Sequence, residues 1–150
     1  MTIRSRLLAL AGAMTLTACF SSGAQSVPPA LTLAKANGGY LLTDTHGMTL
    51  YTFDLDMPGV SNCHEACAAK WPAVLASGYQ AAQGDYSVIK RDGNVWQWAY
   101  KGQPLYLYAQ DDRPGDMTGH GIGGVWHAVL IKKAQKTYSY GGNGGYGGSY

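Results

Sequence analysis

Gly47-Met48-Thr49-Leu50-Tyr51-Thr52-Phe53-Asp54-Leu55-Asp56 returns 55 residues later as Gly102-Gln103-Pro104-Leu105-Tyr106-Leu107-Tyr108-Ala109-Gln110-Asp111. Glycine, leucine, tyrosine, a second aromatic residue and aspartate fall in the same places. A tryptophan, Trp71 or Trp126, follows each aspartate by fifteen residues. A supersecondary unit present twice buries its apolar face against its neighbour, so this doubling predicts one body made of two related halves.

Outward from the repeat, the local signals are β. Residues 40–43 and 48–53 flank the turn cluster Asp44-Thr45-His46-Gly47 and read as a hairpin. Residues 95–100 and 105–108 flank Lys101-Gly102-Gln103-Pro104 in the same way, and residues 86–89 read as a further strand between the halves. Arg91-Asp92-Gly93-Asn94 is a turn. One short helix is expected over residues 63–70, with Asn62 as N-cap, Glu65 completing a capping box, and Trp71-Pro72 as the stop. The second half replaces this helix with a glycine-rich loop, residues 114–126. The expected fold is therefore mainly β: duplicated β-hairpin units forming one small sheet or barrel-like domain with one short helix.

The N-terminus has the form of an export signal. Arg4 and Arg6 precede an apolar run over residues 7–18 that is too short to span a bilayer. It ends in Leu16-Thr17-Ala18-Cys19, which resembles the lipobox of bacterial lipoproteins. That resemblance implies cleavage after residue 18 and acylation of Cys19. Phe20 at the following position implies the periplasmic face of the outer membrane, or the outer face of the plasma membrane in a Gram-positive host. Cleavage removes two arginines and no acid, leaving nine basic against nine acidic side chains. This balance leaves no basic patch for nucleic acid. The expected order is signal peptide 1–18, lipidated tether 19–36, duplicated domain 37–133 with copies over about 38–76 and 93–131, and a Gly/Tyr-rich disordered tail 134–150.

Four stretches resemble a group of predicted bacterial lipoproteins with a Tyr-x-aromatic-x-x-Asp motif, known as a secreted repeat of unknown function. They are residues 47–56; Cys63-x3-Cys67-Ala68 with Trp71-Pro72; residues 97–106; and Pro114-Gly115-Asp116 through Gly124-Val125-Trp126-His127. The resemblance covers roughly residues 38–130. It implies a duplicated β-rich envelope domain and no particular activity.

Several residue sets carry possible chemistry. Cys63 and Cys67, at i and i+4, fit either a stabilising disulfide in an oxidising compartment or a Cys-x3-Cys dithiol for redox work or Cu(I). A bridge within a regular helix would deform its start. His120 and His127 flank the glycine-rich loop, and with Met117 and His64 they form a candidate metal or haem-ligand set. Asp54, Asp56, Asp111, Asp112 and Asp116 read as turn residues, with a Ca²⁺ site as the alternative. Trp96, Trp98 and Tyr100 alternate onto one face, a core face or, if exposed, a ligand platform. The function these features favour is a non-enzymatic binding or structural module of the envelope without a cofactor. Its partners would be the membrane, through the lipid anchor, and an envelope protein or glycan. The alternative is a periplasmic redox or metal-handling protein using copper or haem.

Overall fold

In a computed structural model the described residues are 26–132. The signal peptide, Cys19 and the tail expected over 134–150 lie outside them. The first element pair is a hairpin, β1 (Leu31–Ala36) with β2 (Gly39–Asp44), in the register Ala36 to Gly39. Its two-residue loop is Asn37-Gly38, with Gly38 at φ 79°, a left-handed conformation that glycine adopts without steric cost. β1 is a correction to the expected tether: residues 31–36 are strand. Only Leu31 of β1 is buried, so the strand carries no buried alternation to read.

The second copy opens the same way. β5 (Tyr86–Lys90) pairs with β6 (Trp96–Tyr100) across the turn at Asp92–Asn94. The strand expected between the halves is thus the first strand of the second copy and the counterpart of β1. Between the two hairpins lie β3 (Tyr51–Phe53), α1 (Ala66–Lys70) and β4 (Leu75–Ala76). After them come β7 (Gln103–Pro104), β8 (Trp126–Ala128) and β9 (Leu130–Lys132).

The copies exchange strands. β9, from the second copy, pairs with β2 of the first, giving a sheet ordered β1-β2-β9. Reciprocally, β4 of the first copy pairs with β6 of the second, giving β4-β6-β5 with β7 also on β6. β3 pairs with β8, again across copies. The fold is mainly β with one short helix, as expected. It is not a closed barrel: the described strands form small antiparallel sheets that keep their edges.

The core repeats the symmetry. One cluster holds the matched pairs Leu31 with Tyr86, Leu50 with Leu105, and Val74 with Val129. Leu50 and Leu105 are fully buried, each contributing about 1.5–3 kcal/mol. Trp98 also sits in this cluster, only 2% exposed. The three-ring ligand platform is therefore corrected: Trp98 is core, and Trp96 and Tyr100 are half-buried rings beside it.

The helix also departs from expectation. It begins at Ala66, and Glu65 precedes it at φ 47°, making no side-chain cap. The Asn62 amide instead donates 2.6 Å to Asp56 Oδ1, and its side chain donates to Leu55 O. Cys63 and Cys67 are disulfide-bonded with Cα atoms 5.2 Å apart. Cys63 lies outside the helix, so the bridge closes a non-helical turn onto it and no capping box forms.

Candidate functional site

The repeated tyrosines meet at the centre of the molecule. Tyr51 and Tyr106 exchange backbone hydrogen bonds, N–H to O distances being 2.8 and 2.9 Å. Each side chain then crosses to the other copy's aspartate. Tyr51 Oη donates to Asp111 Oδ2 and Tyr106 Oη donates to Asp56 Oδ2, both at 2.6 Å. The second carboxylate oxygens accept backbone amides, Asn62 on Asp56 and Thr118 on Asp111. Two lone tyrosine–aspartate pairs thus become a reciprocal clasp between halves. Burial, followed by the facing carboxylate, holds both phenols well above the usual tyrosine range. Burial also lifts the Asp56 carboxyl above its usual range, against the hydrogen bonds from Tyr106 and Asn62 and the charges of Arg91 and His64.

Beside the clasp, the motif aromatics and closing tryptophans form a column, Phe53–Trp126–Trp71–Tyr108. Successive ring centroids are 4.2, 3.7 and 4.3 Å apart. The order is palindromic, since Phe53 corresponds to Tyr108 and Trp126 to Trp71, and the local two-fold passes between the tryptophans. Tyr51 and Tyr106 meet Trp71 and Trp126 edge-on at 5.4 and 5.3 Å. The Pro-Gly turns close the ends: Gly59 N donates to Gly102 O and Gly115 N to Gly47 O.

The symmetry fails at the phenolic oxygens. Tyr51 Oη accepts the backbone N–H of Gly119 at 3.3 Å. Here a side chain has no room: a Cβ on Gly119 would lie 2.8 Å from Trp71 and 3.0 Å from Tyr108. Tyr106 Oη instead meets Ser61 Oγ at 2.7 Å. Because Tyr106 donates to Asp56, the Ser61 hydroxyl donates to Tyr106. Arg91 Nη1 donates to Ser61 Oγ and, at 2.7 Å, to Gln97 Oε1, while its Nη2 donates to Cys63 O at 2.6 Å. Outside this network opens a cleft of about 220 Å³, lined by Ser61, Asn62, His64, Lys90, Arg91 and neighbours.

Compared with known protein families, residues 32–75 and 87–130 each match the family described as a secreted repeat of unknown function. The chain belongs to this family. The two matches begin 55 residues apart, the spacing of the clasp tyrosines, and each includes the hairpin strand that opens its copy. No curated protein and no solved structure matches the chain. In this secreted-repeat chain the Tyr and Asp of the repeated decapeptides form the clasp, and the intervening aromatics cap the column.

The remaining candidates scatter around that centre. His120 and His127 do come together, with ring centroids 5.8 Å apart. His127 Nε2 is 2.9 Å from Asp54 Oδ2, and His120 Nδ1 accepts the Ala128 N–H at 3.1 Å. A neutral His120 therefore carries its proton on Nε2. Met117 is tied to this loop through its carbonyl, which accepts His120 N–H. His64 belongs to the cleft, its Nε2 donating to Ser61 O at 2.9 Å. Among the described residues no three His, Cys, Asp or Glu side chains group to hold a metal ion. Asp116 behaves as a turn residue, accepting the amides of Asp112 and Arg113. Sequence reading missed Arg91, Ser61 and Gln97. The available signal was Gln97, a polar residue inside the apolar run Trp96–Tyr100, which is fully buried and needs partners.

Proposed function

We infer that this protein is a non-enzymatic envelope module, a binding or structural unit tethered to the periplasmic face of the outer membrane by acylated Cys19. The observation that supports this most is the reciprocal clasp. The acids and phenols that recur in both copies, groups able to do general acid–base work, are buried against each other and join the halves. The disulfide supports the same reading. Cys63 and Cys67 are joined, Cys63 fully buried and Cys67 half-buried, so neither offers a free thiolate for Cu(I). The family is one of secreted repeats, and among the described residues no helix is long and apolar enough to cross a membrane; in this reading the lipobox-like Leu16-Thr17-Ala18-Cys19 supplies the attachment.

Metabolic labelling with a palmitate analogue tests the anchor. Label should enter the wild-type chain, disappear in Cys19→Ala, and follow the outer-membrane fraction. An unlabelled chain released into the soluble fraction would contradict the anchor, and catalytic turnover copurifying with the chain would contradict the non-enzymatic reading.

A further inference from the structure

Wherever the two copies agree, their residues hold the fold, so a site is to be sought where they differ. One polar difference surrounds Arg91. Its counterpart 55 residues earlier is Ala36, and the counterpart of Lys90 is Lys35. The second copy's hairpin turn thus carries an extra cation, aimed at the first copy's cysteine loop.

Arg91 is held by neutral acceptors, Ser61 Oγ, Gln97 Oε1 and Cys63 O. Among the described residues it forms no ion pair with a carboxylate. Three of its five N–H donors are engaged, leaving Nε–H and one Nη2–H unpartnered. A guanidinium fixed by three hydrogen bonds loses little further freedom on binding, and its donors suit two oxygens of one planar anion. Lys90 lies on the rim of the cleft, its ammonium 5.9 Å from the Trp96 ring. His64 Nε2 is turned to Ser61 O, leaving Nδ1 unpartnered. The opposing charges are Asp92, which also lines the cleft, and Asp56, behind Tyr106. At about 220 Å³ the space falls below that of a whole-ligand pocket and suits the end of a larger molecule.

We propose that the Ser61–Arg91 cleft binds a terminal carboxylate group, with Arg91 as its two-point anchor and Lys90 as a supporting charge. The proposal deepens the binding reading above by naming the ligand class. It stands apart from the lipid anchor, which Cys19 labelling decides alone, so either idea can fail without the other. A carboxylate reaches such a cleft either as a peptide C-terminus or as an acidic sugar.

The test is nitrogen-15 NMR of the mature chain, following Arg91 Nε–H and the Asn62 amide. The titrants are N-acetylalanine for the peptide source, glucuronate for the sugar source, and inorganic phosphate for comparison. One or both carboxylates should shift these signals saturably with Kd about 1 mM, and the tighter one names the source. Phosphate should bind at least about tenfold more weakly, and Arg91→Lys, which keeps the charge and loses the fork, should weaken carboxylate binding by a similar factor. Asp92→Asn should tighten binding and Lys90→Gln weaken it, each by about two- to fivefold. These two variants leave the hydrogen bonds of Arg91 intact and decide the matter even where Arg91→Lys fails to fold. No saturable shift at about 10 mM of either carboxylate, phosphate binding as tightly, or unchanged affinity in both rim variants would overturn the proposal.

Discussion

Tyr51 and Tyr106 each do three things at once: they bridge the copies through the backbone, press edge-on against a tryptophan, and donate to a buried carboxylate. Replacing either with phenylalanine keeps the first two and removes the third, leaving a buried carboxylate oxygen without its donor. Each substitution should cost about 2 kcal/mol and lower Tm by roughly 8–10 °C in thermal unfolding. Effects within about 0.5 kcal/mol of zero would mean the clasp contributes little. The same phenols set the alkaline limit. Their folded pKa values lie above the unfolded value of about 10, so the folded state binds more protons there. The stability they contribute is complete below about pH 10 and lost as pH rises towards the folded values. The last of the tyrosinate absorbance to appear among the chain's eleven tyrosines, that of the buried phenols, should therefore coincide with loss of circular dichroism, whereas its completion in a still-folded protein would contradict the assignment. Asp56 follows the same sign at the acid end: its raised pKa favours the fold below about pH 3.9, and that gain is lost as pH rises through its folded value. A different imbalance lies at Thr49, which is 1% exposed with an unpartnered Oγ1. Thr49→Val keeps the shape, removes a stranded hydroxyl, and should raise stability by about 1 kcal/mol in denaturant unfolding.

Among the elements, the glycine-rich loop of the second copy is shaped by the aromatic column beneath it. Gly119 passes so close to Trp71 and Tyr108 that an alanine there must push the rings apart. Gly119→Ala should cost about 1–3 kcal/mol and change the near-UV circular dichroism of the tryptophans; an unaltered spectrum would show that the loop yields instead. How far these elements were legible varied for physical reasons. β2, β5 and β6 could be read because their apolar residues and bounding turns are local properties. β1 could not, since it buries only Leu31 where its counterpart β5 buries Tyr86 and Ile89, yet Asn37-Gly38 matches Asp92-Gly93 at the repeat spacing and marks both hairpins. The helix start was misread because Asn62 and Glu65 have the types of a capping box while Asp56 takes the Asn62 amide and the disulfide turns the chain at Glu65. The cleft was hidden for another reason: Arg91 and Ser61 are 30 residues apart and meet only because the second hairpin packs over the first copy's loop.

For the whole molecule, the repeat foretold two halves but not that they are interlocked. β4 and β9 are exchanged, the tyrosines reach across to the opposite aspartates, and the column alternates rings from the two copies. Neither copy completes a sheet or core by itself, so the pair is the unit that folds. The disulfide lies inside the first copy and makes no covalent link between them. The connection between copies, residues 77–85, is largely exposed and adds no strand to any of the three sheets. Cutting it therefore separates the halves covalently while leaving every exchange in place. The deciding measurement is the mass in solution, by size exclusion with light scattering, of the mature chain cleaved once within residues 77–85. The interlock predicts that both fragments travel together at the mass of the uncut chain. Two separated fragments, each folded at its own mass, would contradict it.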